Sequence, residues 1–315
     1  MTSLVLPVAV DIREVGPRDG LQIEAPMAWP DKVAMFEALA RTGARRIEAT
    51  SFVSPRAVPS MADAEQVAEL VAQWGDVHWS SLVASVNGAK RSIAAGLPNL
   101  EYVVSASDTH SRANVGRGTD ESIALIGEIA DLAHAAGGAL EVIVATAWDC
   151  PFAGRTPAAD TVRVLAEAVA RGADALALGD TIGTTTPRRV VDLIEDAREM
   201  LADRDRTGVD IGVHFHDTRG TGIANALATV QAGVTSLDAS VGGLGGCPFA
   251  PGASGNIATE ELVYMLEESG VATGIDLDAV LAAAAATEKG VGHGLPSSLY
   301  KAGGRSVPTQ GRGRP

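Results

Sequence analysis

The sequence predicts an α/β protein folded as a single (β/α)8 barrel, and the order of its elements carries that prediction. Short runs rich in β-branched and apolar residues alternate along the chain with longer amphipathic patterns. Strand-like runs occur at 10–16, 46–52, 78–83, 100–107, 140–147, 175–181, 210–217 and 236–243. Eight repeats of a strand followed by a helix are typical of a closed parallel barrel.

The segments between these runs predict helices that surround the barrel. In "DKVAMFEALARTG" and "TPRRVVDLIEDAREML" apolar residues recur at helical spacing, and most such segments end at glycine, a preferred helix terminator. The alternative is a doubly wound open sheet, but the first strand is not followed by a Gly-x-Gly-x-x-Gly turn. A further helical pattern, "DLDAVLAAAAATEKGVGHG", follows the eighth strand.

We predict one catalytic domain over residues 1–300, made of the barrel and this additional C-terminal helix. A barrel commonly uses about 250 residues as one unit, which suits a chain of 315 residues. Residues 301–315 are rich in Gly, Pro and Arg with little apolar surface, so they predict a disordered tail.

Charge and cysteine content limit the function classes. The chain has 25 Lys and Arg against 39 Asp and Glu, a formal net charge of −14, which argues against nucleic-acid and anionic-membrane partners. An anionic substrate would need a local basic pocket. Two cysteines are too few for a disulfide framework, and neither a leader peptide nor a long apolar span is recognisable, so we expect a cytoplasmic protein.

Ionisable and amide side chains gather where the predicted strands end, which is where barrel enzymes place their chemistry. The candidates are Arg18, Asp19 and Gln22 after strand one, Glu48 in strand two, Asp180 in strand six, His214 and His216 in strand seven, and Cys247 and Asn256 after strand eight. Each also has a structural interpretation: Asp180 suits a turn or helix cap, and a single Cys247 suits a small buried apolar position.

The histidine pair in "IGVHFHDTRGTG" (211–222) is the most specific of these features. Residues two apart on a strand face the same side, so His214 and His216 share one space, where they need hydrogen-bond partners or a cation. Paired core histidines are the alternative interpretation. With Asp19 and Asn256 the pair forms a nitrogen and oxygen ligand set that favours Mg²⁺ or Mn²⁺ over structural zinc.

Several motifs together resemble the 3-hydroxy-3-methylglutaryl-CoA lyase family. They are "EVGPRDGLQIE", "IEATSFVSP", "GDTIGTTTP", "HFHDTRG" and "GGLGGCPFAPGASGN", and they follow one another in order along the chain. The resemblance implies a metal-dependent (β/α)8 lyase that cleaves an acyl-CoA substrate to acetyl-CoA and acetoacetate, commonly as a homodimer.

The resemblance also implies roles for individual residues. Asp19, His214, His216 and Asn256 match the positions that hold the divalent metal. Arg18 matches the group that stabilises the enolate oxyanion, and Cys247 a catalytic thiol on a glycine-rich loop. Glu48 and Asp180 match further carboxylates needed for turnover, and Gln22 a neighbouring substrate-binding position.

Three departures from the family pattern, Trp148, Asp149 and Arg219, leave the substrate open. A related acyl-CoA such as citramalyl-CoA, or a longer-chain 3-hydroxy-3-alkylglutaryl-CoA, would be cleaved by the same chemistry. Two alternatives compete with the lyase. One is a Claisen-condensing synthase, which usually carries a long region after its barrel, and the other is a scaffold with a structural ion, which would need no thiol or guanidinium nearby.

Overall fold

The computed structural model describes residues 5–246 and 255–303. Eight parallel strands close into a barrel in sequence order, with the eighth paired to the first, so the predicted fold class is confirmed. The strands are β1 Asp11–Glu14, β2 Arg46–Phe52, β3 His78–Val83, β4 Leu100–Ser105, β5 Leu140–Ala145, β6 Ala175–Asp180, β7 Asp210–Phe215 and β8 Ser236–Ala239.

Twelve α-helices are found among the described residues, most of them on the outside of the barrel. They are α1 Trp29–Leu39, α2 Ala64–Val71, α3 Val86–Ala94, α4 Asp108–Val115, α5 Thr119–Ala124, α6 Ile126–Ala135, α7 Ala158–Ala170, α8 Pro187–Asp203, α9 Gly222–Gln231, α10 Thr259–Glu268, α11 Leu277–Val291 and α12 Ser298–Ala302. Helices cover the outer face of the strands while side chains fill the interior, so β5 is buried along its whole length.

The first and last strands are shorter than the sequence predicts. β1 ends at Glu14 and the chain turns into a π-helical segment, Gly16–Gly20, in which Pro17 has no N–H to continue the ladder. β8 ends at Ala239 and is followed by a 3₁₀ turn, Val241–Gly243. After β1 and after β8 the chain therefore leaves the sheet early and forms the loops that carry the candidate site.

The predicted C-terminal helix is present as α11. The Asp276 carboxylate caps its N-terminus by accepting from two backbone N–H groups, and Gly292, at φ 76°, ends it. It packs on α1. Helix α12 extends to Ala302 and so includes the first two residues of the predicted tail. Residues 304–315 lie outside the described part, so the disorder of the tail stays a prediction. No helix within the described ranges is long and apolar enough to cross a membrane.

Candidate active site

A buried carboxylate fixes the turn that carries Arg18 and Asp19. Glu14, at the end of β1, accepts hydrogen bonds from the N–H of Gly16 (2.7 Å), the N–H of Val241 (2.9 Å) and the hydroxyl of Thr259 (2.6 Å). A Cβ at Gly16 would lie 2.6 Å from the Glu14 Oε1, which explains glycine there. The turn after β1 is thereby tied to the segment after β8.

His214 in β7 and His216, directly after that strand, face one space together with Asp19, as the sequence predicts. The Nε2 atoms of His214 and His216 lie 3.2 Å apart, and the Asp19 Oδ2 lies 3.7 Å from the first and 3.6 Å from the second. All three can offer a ligand atom to one metal ion. Burial alone would raise the pKa of Asp19, but Arg18 and both histidines lower that pKa well below its ordinary value.

Asn256 completes this group. Its Nδ2 donates to the Asp19 Oδ2 (2.8 Å) and to the Leu244 carbonyl (2.9 Å). Its Oδ1 is buried and has no hydrogen-bond partner among the described residues. A buried acceptor without a donor is costly unless a cation satisfies it. The nitrogen and oxygen atoms of these side chains are therefore suitable ligands for a divalent metal ion.

Asp238, which the sequence reasoning missed, orients the first histidine. Its Oδ2 lies 3.0 Å from the His214 Nδ1, and Arg13 binds both of its oxygens at 2.8 Å. Because His214 donates its Nδ1–H to this carboxylate, its Nε2 lone pair faces Asp19 and His216. Carboxylates in this position hold metal-binding histidines in the correct tautomer and orientation.

A layer of buried charges inside the barrel holds Asp238 in place. Arg13 also forms ion pairs with Glu101 (2.7 Å) and with Glu141. Burial would lower the pKa of Arg13, but the three carboxylates raise it, so the guanidinium stays charged. The sequence indicates this buried charge layer by a glutamate within each of two otherwise apolar strands, "LEYVV" and "LEVIV".

Replacing Asp238 with asparagine should weaken divalent-metal binding by about 10- to 100-fold, the usual cost of losing such an orienting partner. Calorimetric titration of the purified variant with Mn²⁺ measures this directly. The control is Asp210→Asn, which removes a carboxylate from the exposed start of β7, the strand that carries His214. Equal affinities for the two variants would show that Asp238 does not orient His214.

Arg18 lies between two carboxylates at the same end of the barrel. Its Nη1 is 2.5 Å from the Asp19 Oδ1 and its Nε is 2.7 Å from the Glu48 Oε1. Gln22 is at the edge of this contact, with its Oε1 3.5 Å from the same Nη1. Burial would lower the pKa of Arg18, but the nearby carboxylates raise it. Arg18 is therefore a fixed positive charge inside the cavity.

Glu48 is a buried carboxyl group whose pKa is affected by a second one, Glu101. It is fully buried, and burial together with the neighbouring Glu101 raises its pKa well above the ordinary value, against the opposing effect of Arg18. Burial would also raise the pKa of Glu101, but Arg13 and the hydrogen bond shared with Glu48 lower it. The protonated form of Glu48 is therefore more favoured than that of an exposed glutamate.

Asp180 makes the turn contacts that the sequence predicts, and it also lies near the candidate metal ligands. Its Oδ1 accepts from the N–H of Thr184 (3.0 Å) and its Oδ2 from the N–H of Thr185 (3.1 Å). Burial raises its pKa, partly offset by these two donors and by His216. Both of these donors belong to the loop that follows Asp180, and Cys247 lies outside the described residues.

Five of the candidate side chains line a cavity of about 550 Å³ at the carboxyl ends of the strands, within the usual range for small-molecule sites. Arg18, Asp19, Gln22, His214 and His216 line one part of it. The rest of its wall includes apolar residues and two further arginines: Leu82, Val103, Ile143, Arg91 and Arg117. A second cavity, of about 790 Å³, lies at the opposite end of the barrel and contains none of the candidates.

Comparisons with known proteins agree with this geometry. The HMGL-like family matches residues 9–286. A hydroxymethylglutaryl-CoA lyase of Bacillus subtilis is 39% identical over 92% of this chain and 96% of its own length. An (R)-citramalyl-CoA lyase of Chloroflexus aurantiacus is 40% identical over 94% of this chain and 95% of its own.

A solved structure shows the same fold with a ligand bound. The HMG-CoA lyase of Acinetobacter baumannii, in complex with coenzyme A and 3-methylmalate, superimposes with a TM-score of 0.88 at 36% identity. The match covers 98% of this chain and 100% of the other.

Proposed function

Because the chain belongs to the HMGL-like family, we propose that it is a metal-dependent carbon-carbon lyase that cleaves 3-hydroxy-3-methylglutaryl-CoA to acetyl-CoA and acetoacetate. The observation that carries the proposal is the convergence of Asp19, His214 and His216 on one point beside the buried Arg18 guanidinium. This arrangement supplies a cation site next to an anion-stabilising group, as cleavage of a 3-hydroxyacyl thioester requires.

We assign the metal site to Asp19, His214, His216 and Asn256. Imidazole, carboxylate and amide ligands without a thiolate suit Mg²⁺ or Mn²⁺. When bound, a divalent ion supplies Lewis acidity that lowers the pKa of the substrate's tertiary alcohol and fixes the substrate in place.

Arg18 has the charge and position to stabilise the enolate. Breaking the bond between C2 and C3 sends an electron pair toward the thioester carbonyl, whose oxygen becomes negative. A guanidinium stays protonated and offers several donors in a planar fork. Glu48 contacts the Arg18 Nε at 2.7 Å and holds that fork in place. Gln22 lines the same wall and contributes to substrate binding.

Two proton transfers complete the reaction. The C3 hydroxyl must lose a proton as C3 becomes the ketone carbon of acetoacetate, and C2 must gain one to become the methyl group of acetyl-CoA. Burial raises the pKa of Asp180, which brings its carboxylate closer to the range of an effective general base. We assign the first transfer to Asp180 and, from the family resemblance, the second to the Cys247 thiol.

Arg117 suits the phosphates of the CoA moiety. It lines the cavity, and its Nη2 contacts the Ala84 carbonyl and the Tyr102 hydroxyl. Its Nε is buried and has no hydrogen-bond partner within residues 5–246 and 255–303. Arg91 lines the same wall but is already ion-paired with Glu65 at 2.7 Å. Since the chain carries a net charge of −14, a polyanionic substrate needs such a local cation.

Replacing Arg117 with alanine should raise KM for the CoA thioester by about 10- to 100-fold, the cost of one charged hydrogen bond, with little change in kcat. Steady-state kinetics with the CoA ester and with its pantetheine analogue, which lacks the nucleotide, measure the effect. Only the CoA ester should respond. Arg112→Ala, an exposed arginine of α4, is the control, and an equal change with both thioesters would contradict the assignment.

One assay tests the proposed function. Purified protein is incubated with 3-hydroxy-3-methylglutaryl-CoA or citramalyl-CoA, with Mg²⁺, Mn²⁺ or a chelator, and acetoacetate and pyruvate are measured. We expect metal-dependent acetoacetate release. Pyruvate released from citramalyl-CoA alone would move the substrate to the related acyl-CoA, which the citramalyl-CoA lyase relative favours. Inactivity with both would contradict the proposal. The homodimer, the cytoplasmic location and the single-domain boundaries stay predictions.

A further inference from the structure

Asp149, one of the departures from the family pattern, has two polar partners near the end of β6, and they make three hydrogen bonds with it. It lies in a two-residue strand, Asp149–Cys150, after β5. The Arg189 guanidinium in the first turns of α8 contacts both of its oxygens, with Nη1–Oδ2 at 2.7 Å and Nη2–Oδ1 at 3.1 Å. The Thr184 hydroxyl donates to the Asp149 Oδ2 at 2.7 Å.

Thr184 connects Asp149 to the candidate base. While its hydroxyl binds Asp149, its backbone N–H binds the Asp180 Oδ1 at 3.0 Å, and the next N–H, of Thr185, binds the other oxygen. The carboxylate of Asp180 is therefore oriented by the loop between β6 and α8. The position of that loop depends in turn on what holds Thr184.

The opposite side of the loop is also fixed. Gly183 has φ 59°, and a Cβ there would lie 2.8 Å from the His216 carbonyl oxygen, so the loop packs directly against the end of β7. On the near side the Trp148 Nε1 donates to the Arg189 carbonyl at 3.0 Å, and the Arg189 Nη2 donates to the Trp148 carbonyl at 2.9 Å. The loop is thus held between the ends of β5 and β7.

We propose that Asp149 is a positioning residue for the lyase reaction, acting with Arg189 through Thr184 to fix the loop whose amides orient the Asp180 carboxylate. The inference rests on the proposed function, because it takes Asp180 as the group that accepts the alcohol proton. A displacement of about 1 Å in a catalytic group can cost roughly 100-fold in rate. Loss of the contact should therefore appear in kcat.

The test compares Thr184→Val, Thr184→Ser, Asp149→Ala and the double variant Asp149→Ala/Thr184→Val by steady-state kinetics with the best substrate of the wild-type protein. Valine keeps the backbone N–H but removes the hydroxyl, and serine restores it. We expect kcat to fall about tenfold in Thr184→Val and Asp149→Ala, with KM changed less than about twofold and kcat restored by serine. If the two residues act as a unit, the double variant should be no slower than either single one.

Arg188→Ala, which removes an exposed ion pair beside Arg189 on α8, should leave kcat unchanged. A lower thermal midpoint with wild-type kcat, or additive losses in the double variant, would overturn the proposal. If Asp149→Ala does not fold, the valine and serine pair at Thr184 decides the question. A wild-type protein inactive on both acyl-CoA substrates would instead contradict the proposed function, so the two failures are distinguishable.

Discussion

Replacing Arg18 with lysine should lower kcat by about 10²- to 10³-fold, the loss expected when one donor to a developing oxyanion is removed. Lysine keeps the positive charge but not the planar fork that spans the Asp19 and Glu48 carboxyl groups at 2.5 and 2.7 Å. KM should change much less, because the thioester oxygen carries its full charge only during cleavage.

The control for this substitution is Arg41→Lys, an exposed arginine that pairs with Glu37 at the end of α1. It should retain wild-type kcat. A kcat of the Arg18 variant within about fivefold of wild type would remove Arg18 from enolate stabilisation, since a single lost donor normally costs at least about 100-fold.

Replacing His214 with alanine should weaken Mn²⁺ binding by more than about 100-fold, because the loss of a direct ligand exceeds the 10- to 100-fold cost of losing an orienting partner. Calorimetric titration reports this without reference to activity. His134→Ala is the matched control, because this exposed histidine pairs with Asp174 at 2.8 Å and lies outside the metal-ligand group. Unchanged affinity in the His214 variant would exclude the proposed ligand set.

The barrel could be predicted because its signals are local. Each strand is a short apolar run, and the pairing in sequence order requires no long-range information. The convergence of His214 and His216 follows from strand alternation alone. The ends of β1 and β8 were predicted less well, since "EVGPRDG" and "SVGGLGG" continue with residues whose departure from the sheet depends on contacts between the two loops, such as Glu14 with Val241.

The groups that support the site could not be predicted from local sequence patterns, because their contacts are with residues distant in the sequence. Asp238 reaches His214 because the register of β7 and β8 makes them partners. The pKa of Glu48 is raised by burial and by Glu101, which comes from β4. The amide contacts of Asp180, by contrast, are within five residues of it, and the turn chemistry of "GDTIG" anticipated them. Local patterns thus predicted the candidate ligands, while tertiary register determined their orientation and charge.

The most direct test of the central claim is a crystal structure of the protein grown with Mn²⁺, with diffraction data collected at the manganese absorption edge. We expect one strong anomalous peak within coordination distance of the side chains of Asp19, His214, His216 and Asn256. An anomalous peak elsewhere, or these four side chains fully ordered around no peak at saturating Mn²⁺, would contradict the claim that they hold the ion on which cleavage depends.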